Sequence, residues 1–284
     1  LADGDYSVEA VISDAAGNSS AASSPAVEFR VDTAAPAVPS IMTASDDVGD
    51  VTDPLASGDS TDDTTPTLSG TAVAGSTVTI LDGDTVLGTA VADDSGHWSY
   101  TPATELGEGS HSFTATATDA AGNTSDPSDA FELSVDTTSP GGDAGTDAPT
   151  LAIAEAADDD SIDADELADG VQAIVDLTDG TQAGDTITLS VTDADDVTSE
   201  VVYTVTADDV TDGSATVEIP SDALTDGDYS VAAVISDAAG NSSAASSPAV
   251  EFRVDTAAPE VPSIMTAADN VGDVTDPLAS GDST

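Results

Sequence analysis

The sequence contains no cysteine, no lysine and only two arginines among its 284 residues. The absence of cysteine excludes a disulfide framework and leaves bound metal ions as the obvious cross-links. Because basic side chains hold nucleic acid and anionic membrane surfaces, we expect neither as a partner. There is also no run of about 18 apolar residues, so the sequence predicts no segment that inserts in a membrane.

Aromatic residues and histidines are scarce as well, with 3% aromatics and two histidines. Two histidines in unrelated positions offer little material for a zinc site or a Ser/His/Asp triad, and we expect no enzyme. His97 lies in a Gly-His turn and is predicted to be solvated. The single tryptophan, Trp98, is predicted to pack in a core; an exposed platform for stacking on sugars is the alternative.

Acidic residues dominate what is present: 56 Asp and Glu give a formal net charge of -54. Such charge is typical of disordered chains, yet 39% of the residues are hydrophobic and they alternate in runs separated by Gly/Asp turns, which predicts strands. Two carboxylates about 4 Å apart repel by roughly 4 kcal/mol at an effective dielectric near 20. A folded chain of this kind therefore needs cations, from bound calcium or from a high-salt medium.

A long internal repeat organises the chain. Residues 1–61 return at 224–284 with five differences, an offset of 223 residues. Near-identity at a fixed period indicates a modular array, and it favours a spacer or display scaffold over an enzyme.

The motif Val-Asp-Thr followed by Pro occurs at 31–36, 135–140 and 254–259. Proline after a strand that ends in Asp-Thr is typical of a short, stiff linker. Boundaries at this motif divide the chain into the C-terminal part of a module (1–33), two complete modules (34–137 and 138–256) and the N-terminal part of another (257–284).

Each complete module shows seven short alternating runs with turn signals between them. This pattern predicts an all-β fold of tandem immunoglobulin-like sandwiches arranged end to end. Tyr229 and its counterpart Tyr6 stand where such sandwiches carry a tyrosine corner, a tyrosine whose hydroxyl bonds to the backbone a few residues upstream. His111 holds this position in module 34–137, and we expect it to bond locally in the same way.

Three copies of one acidic loop, DAAGN, begin at Asp14, Asp119 and Asp237. Asp at the end of a strand followed by Gly-Asn forms a good turn by itself, so a purely structural role is one interpretation and cation binding is the other. Each loop joins the last two strands at the N-terminal end of its module. We therefore expect Asp119 to face the linker residue Asp32, and Asp237 to face Asp136, which is unfavourable without a cation.

A second acidic cluster lies between the first two strands of module 34–137. It consists of Asp46, Asp47, Asp50, Asp53, Asp59, Asp62 and Asp63. Calcium takes about six to eight oxygen ligands, which a flexible loop with several Asp can supply. A solvated loop is the alternative.

A third cluster, EAADDDSIDADEL at 155–167, resembles half an EF-hand with Glu166 as the closing ligand. Its third position is Ala157 and its sixth is Asp160 where an EF-hand has Gly, so the segment is not an EF-hand. Calcium and a solvated loop both remain open here.

The segment from Asp46 to Pro102, with TDDTTPTLSG at its centre, and the segment FTATATDAAGNTSDPS at 113–128 are similar to the bacterial immunoglobulin-like repeat. That repeat fills the extender region of giant biofilm and ice-associated surface adhesins. The resemblance covers 34–137 closely and 138–256 more loosely. It implies export by type I secretion, a place on the bacterial cell surface, and calcium bound by carboxylates near the module junctions.

The acidic loops and the resemblance together define a set of candidate calcium ligands. They are Asp14, Asp32, Asp46, Asp47, Asp62, Asp63, Asp119, Asn123, Asp136, Asp237, Asn241 and Asp255.

The function predicted from the sequence is structural: a calcium-stiffened spacer that projects a distal adhesive domain from the cell. The expected partners within this chain are its neighbouring repeats. The alternative is a module that itself recognises a glycan or ice.

Overall fold

The computed structural model describes residues 1–49, 52, 54–142, 147–156, 160–261, 267–268 and 277–278. The chain begins with an antiparallel hairpin of β1 (Gly4–Val8) and β2 (Val27–Val31). The first complete module then contains β3 (Ser40–Ser45), β4 (Pro54–Leu55), β5 (Ser60–Thr61), β6 (Thr67–Thr71), β7 (Thr77–Asp82), β8 (Thr85–Val91), β9 (His97–Tyr100), β10 (Gly109–Thr118) and β11 (Phe131–Val135).

The second complete module contains β12 (Thr150–Ile153), β13 (Ser161–Ile162), β14 (Val171–Asp176), β15 (Thr186–Asp193), β16 (Thr198–Thr204), α1 (Ala207–Asp212), β17 (Ser214–Ile219), β18 (Gly227–Ser236) and β19 (Val250–Val254). Short 3-10 helices lie at Leu167–Asp169 and Ser221–Ala223. The strands β20 (Ala267–Ala268) and β21 (Pro277–Leu278), which pair with each other, follow. In the part of the chain that the structure describes, no helix has the length and apolarity needed to cross a bilayer.

Each complete module is a sandwich of two sheets. In the first, β4-β3-β6-β9 face β5-β11-β10-β7-β8; in the second, β12-β14-β17 face β13-β19-β18-β15-β16. The short strands β5 and β13 pair in parallel with the last strand of their module. The prediction of tandem immunoglobulin-like sandwiches is confirmed, and each of the seven runs expected per module forms a strand.

Alternation places one face of the central strands of each complete module in a core. In β10, Phe113, Ala115 and Ala117 are buried between half-buried threonines. The buried residues form two separate clusters, one in each complete module. Full burial of a large apolar side chain contributes about 1.5–3 kcal/mol, so each module has its own source of stability.

The helix α1 is a difference from the sequence expectation, which placed only a turn between β16 and β17. Thr206 and Asp209 form a reciprocal capping box, and Gly213 ends the helix in the left-handed conformation at φ 75°. This capping stabilises one short helical turn where no strand competes for the residues.

The tyrosine corner is present in both copies of the repeated segment. The Tyr229 hydroxyl donates to the Thr225 carbonyl at 3.1 Å, and Tyr6 donates to the Ala2 carbonyl at 2.7 Å. In module 34–137, His111 Nε2 lies 2.8 Å from the carbonyl oxygen of Gly107, and Nδ1 lies 2.7 Å from Asp82 Oδ2. The expectation that His111 replaces the tyrosine locally is confirmed.

His111 should make the stability of module 34–137 depend on pH near neutrality. Burial lowers the pKa of His111, but the bonds to Gly107 and Asp82 outweigh burial and raise that pKa above 6.5. The stabilisation is therefore complete below pH 6.5 and is lost as the pH rises through the raised pKa. We expect His111→Tyr, which restores an uncharged corner, to remove this dependence. Melting curves of the parent and of His111→Tyr across this pH range, followed by Trp98 fluorescence, would measure the dependence. An equal change of melting temperature with pH in both proteins would contradict the prediction.

Trp98 lies in the core of its module, as the packing hypothesis predicts. Its exposed fraction is 4%, and the ring covers Gly70 on the neighbouring strand β6. A Cβ added to Gly70 would lie 2.8 Å from the Trp98 ring and 1.9 Å from the Ser40 carbonyl oxygen. Glycine is thus required for the close approach of these groups. The His97 side chain is 69% exposed, as expected.

Candidate metal centre at the module junctions

The Val-Asp-Thr motif ends each module in the same way. Oδ1 of the linker residues Asp32, Asp136 and Asp255 accepts the backbone N–H two residues further on, at 3.2, 3.0 and 3.2 Å. The following threonine donates its hydroxyl to a carboxylate that precedes the penultimate strand. These carboxylates belong to Asp3, Glu108 and Asp226. The motif therefore fixes the end of the last strand before the linker begins.

The DAAGN loops share one internal geometry. In the loop at 237–241, Asp237 Oδ1 accepts the backbone N–H groups of Ala239 and Asn241, both at 2.9 Å, and Oδ2 accepts Asn241 Nδ2 at 2.9 Å. Asp119 and Asp14 make the same bonds in their loops. The Asn bonds, side-chain amide first, hold the pKa of Asp119 and of Asp14 below 3.8. Each loop is thus a stable turn without a metal.

The same asparagines also bind the preceding linker. Asn123 Nδ2 donates to the carbonyl oxygen of Asp32 at 3.0 Å, and Asn241 Nδ2 donates to that of Asp136 at 2.7 Å. The structure therefore brings each loop onto the linker that the sequence placed opposite it. The Asn18 amide N–H donates to Asp14 Oδ2 at 2.8 Å within its own loop.

The two junctions differ in charge. At the first, Arg30 Nη2 lies 3.7 Å from Asp32 Oδ2. At the second, the position that corresponds to Arg30 is Ser134. This second junction is also more enclosed, because Ala239 in its loop is buried whereas Ala121 at the first junction is exposed. Uncompensated negative charge therefore concentrates where 34–137 meets 138–256.

Two carboxylates of the cluster in module 34–137 are buried and bonded. Asp46 Oδ2 accepts the Thr61 hydroxyl at 2.7 Å, and Asp63 Oδ1 accepts the Thr65 backbone N–H at 2.7 Å. Asp47 and Asp59, in contrast, are exposed. Asp50 and Asp53 lie outside the described residues.

Asp62 is the least satisfied carboxylate. Its Oδ1 atom is buried and has no hydrogen-bond partner in the described structure. Gly49, at φ 68°, lets the backbone approach so closely that an added Cβ would lie 2.2 Å from Asp62 Oδ2. Burial first, and then the negative charges of Asp46, Asp237 and Asp63, raise the pKa of Asp62. The effect of Asp237 on the pKa of Asp62 means that negative charge from the second module acts on this carboxylate of the first.

Asp185 was missed by the sequence interpretation. It is 7% exposed, and its Oδ2 accepts the Gln182 backbone N–H at 2.7 Å. Burial raises the pKa of Asp185 against the effect of that bond, and Asp237 and Asp136 raise it further. The signal that could have found it is the pair of matching turns AGST and AGDT, in which Ser76 of the first module is replaced by Asp185 in the second.

The third cluster, in which 157–159 lie outside the described residues, is used locally. Asp163 Oδ1 accepts the Glu166 backbone N–H at 3.0 Å, and Glu166 Oε2 accepts the Asp163 backbone N–H at 3.0 Å. Glu166 therefore caps a turn, in agreement with the conclusion that this is no EF-hand.

The described residues contain no group of three or more His, Asp or Glu side chains already arranged around a metal position. Asp62 has a buried, unpartnered oxygen, and the charges of Asp136 and Asp237 act on the buried Asp185 carboxylate, so a hard cation that takes oxygen ligands would offset the negative charge at this junction.

Comparisons with known proteins give a family and a set of similar structures. The family model of the bacterial Ig-like domain matches residues 35–137 and 145–256. No curated protein matches the sequence. A solved Ca2+-stabilised adhesin, which helps an Antarctic bacterium reach out and bind ice, is 25% identical with a TM-score of 0.34, over 90% of this chain and 58% of that chain.

Two further solved structures have a similar sequence identity to this chain. A structure that concerns host cell surface retention of a 1.5-MDa bacterial ice-binding adhesin is 24% identical with a TM-score of 0.30, over 90% of this chain and 76% of that chain. The BSP domain of a biofilm-associated protein is 22% identical with a TM-score of 0.24, over 72% of this chain and 30% of that chain. The chain thus spans 58% of the length of the Antarctic adhesin structure that it matches.

Proposed function

Because the chain belongs to the bacterial Ig-like domain family, we propose that it is an extender segment of a large secreted bacterial adhesin. In this proposal calcium ions at the module junctions hold successive modules in line, and the segment projects a distal adhesive domain from the cell surface. Its immediate partners are neighbouring repeats of the same protein.

The observation that carries the proposal is the shared construction of the two junctions. Both linkers accept a hydrogen bond from the asparagine of the next DAAGN loop, although the linker sequences after Val-Asp-Thr differ. A direct bond between linker and loop restricts the angle between consecutive modules. A chain built to recognise a ligand would not require this contact at every junction, whereas a stiff spacer does.

Calcium suits the second junction because repulsion among its carboxylates destabilises the junction when no cation is bound. Asp62 from the first module, Asp136 from the linker, and Asp185 and Asp237 from the second module would hold the ion, which supplies positive charge and accepts oxygen ligands. The Asn241 side chain donates its amide N–H to the linker, and its amide oxygen stays available as a ligand for the ion. Asp136, Asp185 and Asp237 accept backbone N–H groups, and these bonds would hold the three carboxylates in position when the ion binds or leaves.

Extension follows from the size of the modules. A strand rises about 3.3 Å per residue, so sandwiches of this size stacked end to end add roughly 40 Å each. The strongly acidic surface suits a medium rich in salt and divalent cations, which is consistent with a place outside the cell.

Glycan or ice recognition by these modules is less well supported. The only tryptophan is buried under β6 and does not form an exposed platform. The function that fits the described surface is therefore spacing.

The test is the length of the fragment in solution. Asn241→Ala removes the amide that bridges Asp136 and Asp237, so the two complete modules should bend relative to each other, and small-angle scattering should show a shorter maximum dimension. Addition of calcium should extend the parent chain, and chelation should shorten it.

Asn18→Ala is the matched control, since it alters the same loop sequence without a linker bond. It should leave the maximum dimension unchanged. If the parent chain has the same dimensions with calcium and with EDTA, and Asn241→Ala is as extended as the parent, the extender proposal is wrong.

A further inference from the structure

Two types of junction alternate along this chain. The linker motif VDTAAP stands at 31–36, where the first junction leads into 34–137, and again at 254–259, after the second complete module. Between these two copies lies the second junction, with the motif VDTTSP at 135–140. Any property that separates the two types therefore recurs at every second junction of the repeat.

The linkers of the two types differ in backbone freedom. The first linker, between β2 and β3, contains Pro36 and Pro39 and no glycine. Proline fixes its own φ and holds the preceding residue extended, so this linker is stiff by itself. The second linker, between β11 and β12, is longer, and in it Pro140 is followed by Gly141 and Gly142, at φ 98° and 90°. Glycine restricts the backbone least, so the direction of the second linker depends more on other contacts.

The module that precedes each junction type ends in a different carboxylate environment. Asp62 in the first module and Asp163 in the second are equivalent, because each follows the residue whose carbonyl oxygen accepts the N–H of the linker aspartate. Asp62 Oδ1 is buried and has no hydrogen-bond partner in the described structure. Asp163 is exposed, and its Oδ1 accepts the backbone N–H groups of Asp165 and Glu166 at 2.8 and 3.0 Å. Only the second junction therefore follows a module with an unsatisfied carboxylate at this position.

The module that follows each junction type differs in the same direction. Ser76 directly precedes β7 and Asp185 directly precedes β15, and they are 2% and 7% exposed. The Ser76 hydroxyl is uncharged and donates to the Val73 carbonyl at 2.6 Å. Asp185 carries a carboxylate at this buried position, where the charges of Asp136 and Asp237 act on it. A buried charge is unfavourable unless a positive charge compensates it, so the second junction needs a cation where the first does not.

The strand before each junction type adds a third difference. Arg30 Nη2 lies 3.7 Å from Asp32 Oδ2, and Arg253, its copy, has Nη1 3.6 Å from Asp228 Oδ1. Both pairs are exposed and contribute little stability by themselves. They do place a positive charge beside the carboxylates at that end of the module, whereas Ser134 at the second junction supplies none.

We propose that the residues compared above make the two junction types respond differently to calcium: the second junction stays in line only with the ion, whereas the first junction and its copy after Thr256 stay in line without it. The inference rests on the proposed function, in which calcium holds successive modules in line. Removal of calcium would then divide the array into stiff pairs of modules, each pair being a 138–256 module and the 34–137 module that follows it. Bending would occur between pairs, at every second junction.

The test uses two copies of 34–256 joined directly, which contain both junction types between complete modules. Each complete module has its own core, and joining Thr256 to Ala34 preserves the Ala-Ala-Pro that follows Thr256 in this chain. The sequence has no cysteine, so pairs of cysteines introduced at exposed positions can carry spin labels for pulsed EPR distance measurements. One pair, Thr104→Cys with Ala207→Cys in the same copy, spans the second junction. The other, Ala194→Cys in the first copy with Ser95→Cys in the second, spans the copied first junction.

In calcium, both pairs should give one narrow distance peak. In EDTA, the pair across the second junction should lose its narrow peak, and the pair across the copied first junction should keep it. The control pair Ser95→Cys with Thr104→Cys lies within one module and should keep its peak in both conditions, which shows that the modules stay folded. If both junctions lose their peaks alike in EDTA, the alternation is wrong while the proposed role of calcium stands. If neither junction responds to EDTA, the alternation and the proposed role of calcium are both wrong.

Exchanging side chains between the junction types tests the residues themselves. Ser134→Arg with Asp185→Ser gives the second junction the side chains of the first, and it should retain more of the narrow peak in EDTA than the parent does. Arg253→Ser, with Ser76→Asp in the following copy, is the reverse exchange and should make the copied first junction lose its peak in EDTA. Parent-like responses at both exchanged junctions would overturn the proposal, since these residues would then not set the difference.

Discussion

Removal of calcium with EDTA is expected to lower the melting temperature of this chain by about 10 °C or more. A ligand at about 100 times its dissociation constant stabilises the folded state by about 2.7 kcal/mol. For a domain of about 100 residues, 1 kcal/mol corresponds to about 4–8 °C. Sodium chloride should restore only part of the loss, because screening weakens repulsion between carboxylates without coordinating their oxygens. Trp98 fluorescence reports module 34–137 separately, since it is the only tryptophan.

Asp62→Asn shows whether the facing carboxylates cause the effect. Burial and neighbouring negative charges raise the pKa of Asp62, so its ionised form is disfavoured in the folded state. In EDTA this variant should therefore melt above the parent, and it should gain less from calcium. Asp47→Asn, in the same acidic cluster but exposed, is the control and should behave like the parent. A parent melting curve that EDTA leaves unchanged at physiological ionic strength would rule out the calcium hypothesis.

The strands could be predicted because each buries one face, which imposes a period of two on the sequence. The run from Tyr229 to Ser236 alternates buried and half-buried residues without interruption. The helix α1 was not predicted, although Thr206 and Asp209 form a recognisable capping box, because six residues carry too little periodicity to distinguish a helical turn from a loop.

The junction could be predicted only in outline. Strand direction was enough to place Asp237 opposite Asp136, because both lie at a fixed end of their module. The sequence did not show that the Asn241 amide makes the direct contact, since a side-chain direction depends on the loop geometry. Asp185 was missed for a related reason: it is distant from the acidic clusters in the sequence and joins Asp136 and Asp237 only through folding.

Trp98→Ala is expected to destabilise module 34–137 by about 3–5 kcal/mol, the usual cost of removing a large buried aromatic side chain. The cavity would open between β9 and β6, where the ring covers Gly70. Trp98→Phe should cost much less. It keeps an aromatic ring over Gly70 and removes an indole N–H that has no hydrogen-bond partner in the described structure. Hydrogen exchange in β6 and β9, with the melting temperature from circular dichroism, measures both variants.

His97→Ala is the control from the same strand, because its side chain points to solvent and should be removable without loss of stability. The same variants separate a spacer from a binder. In a spacer, Trp98→Ala lowers the melting temperature, and no ligand depends on Trp98. In a glycan-binding module, Trp98→Ala would abolish retention on sugars while the melting temperature hardly changed. Since the ring is enclosed between two strands, we expect the loss of stability; a reproducible, Trp98-dependent signal on a glycan array would refute the spacer function.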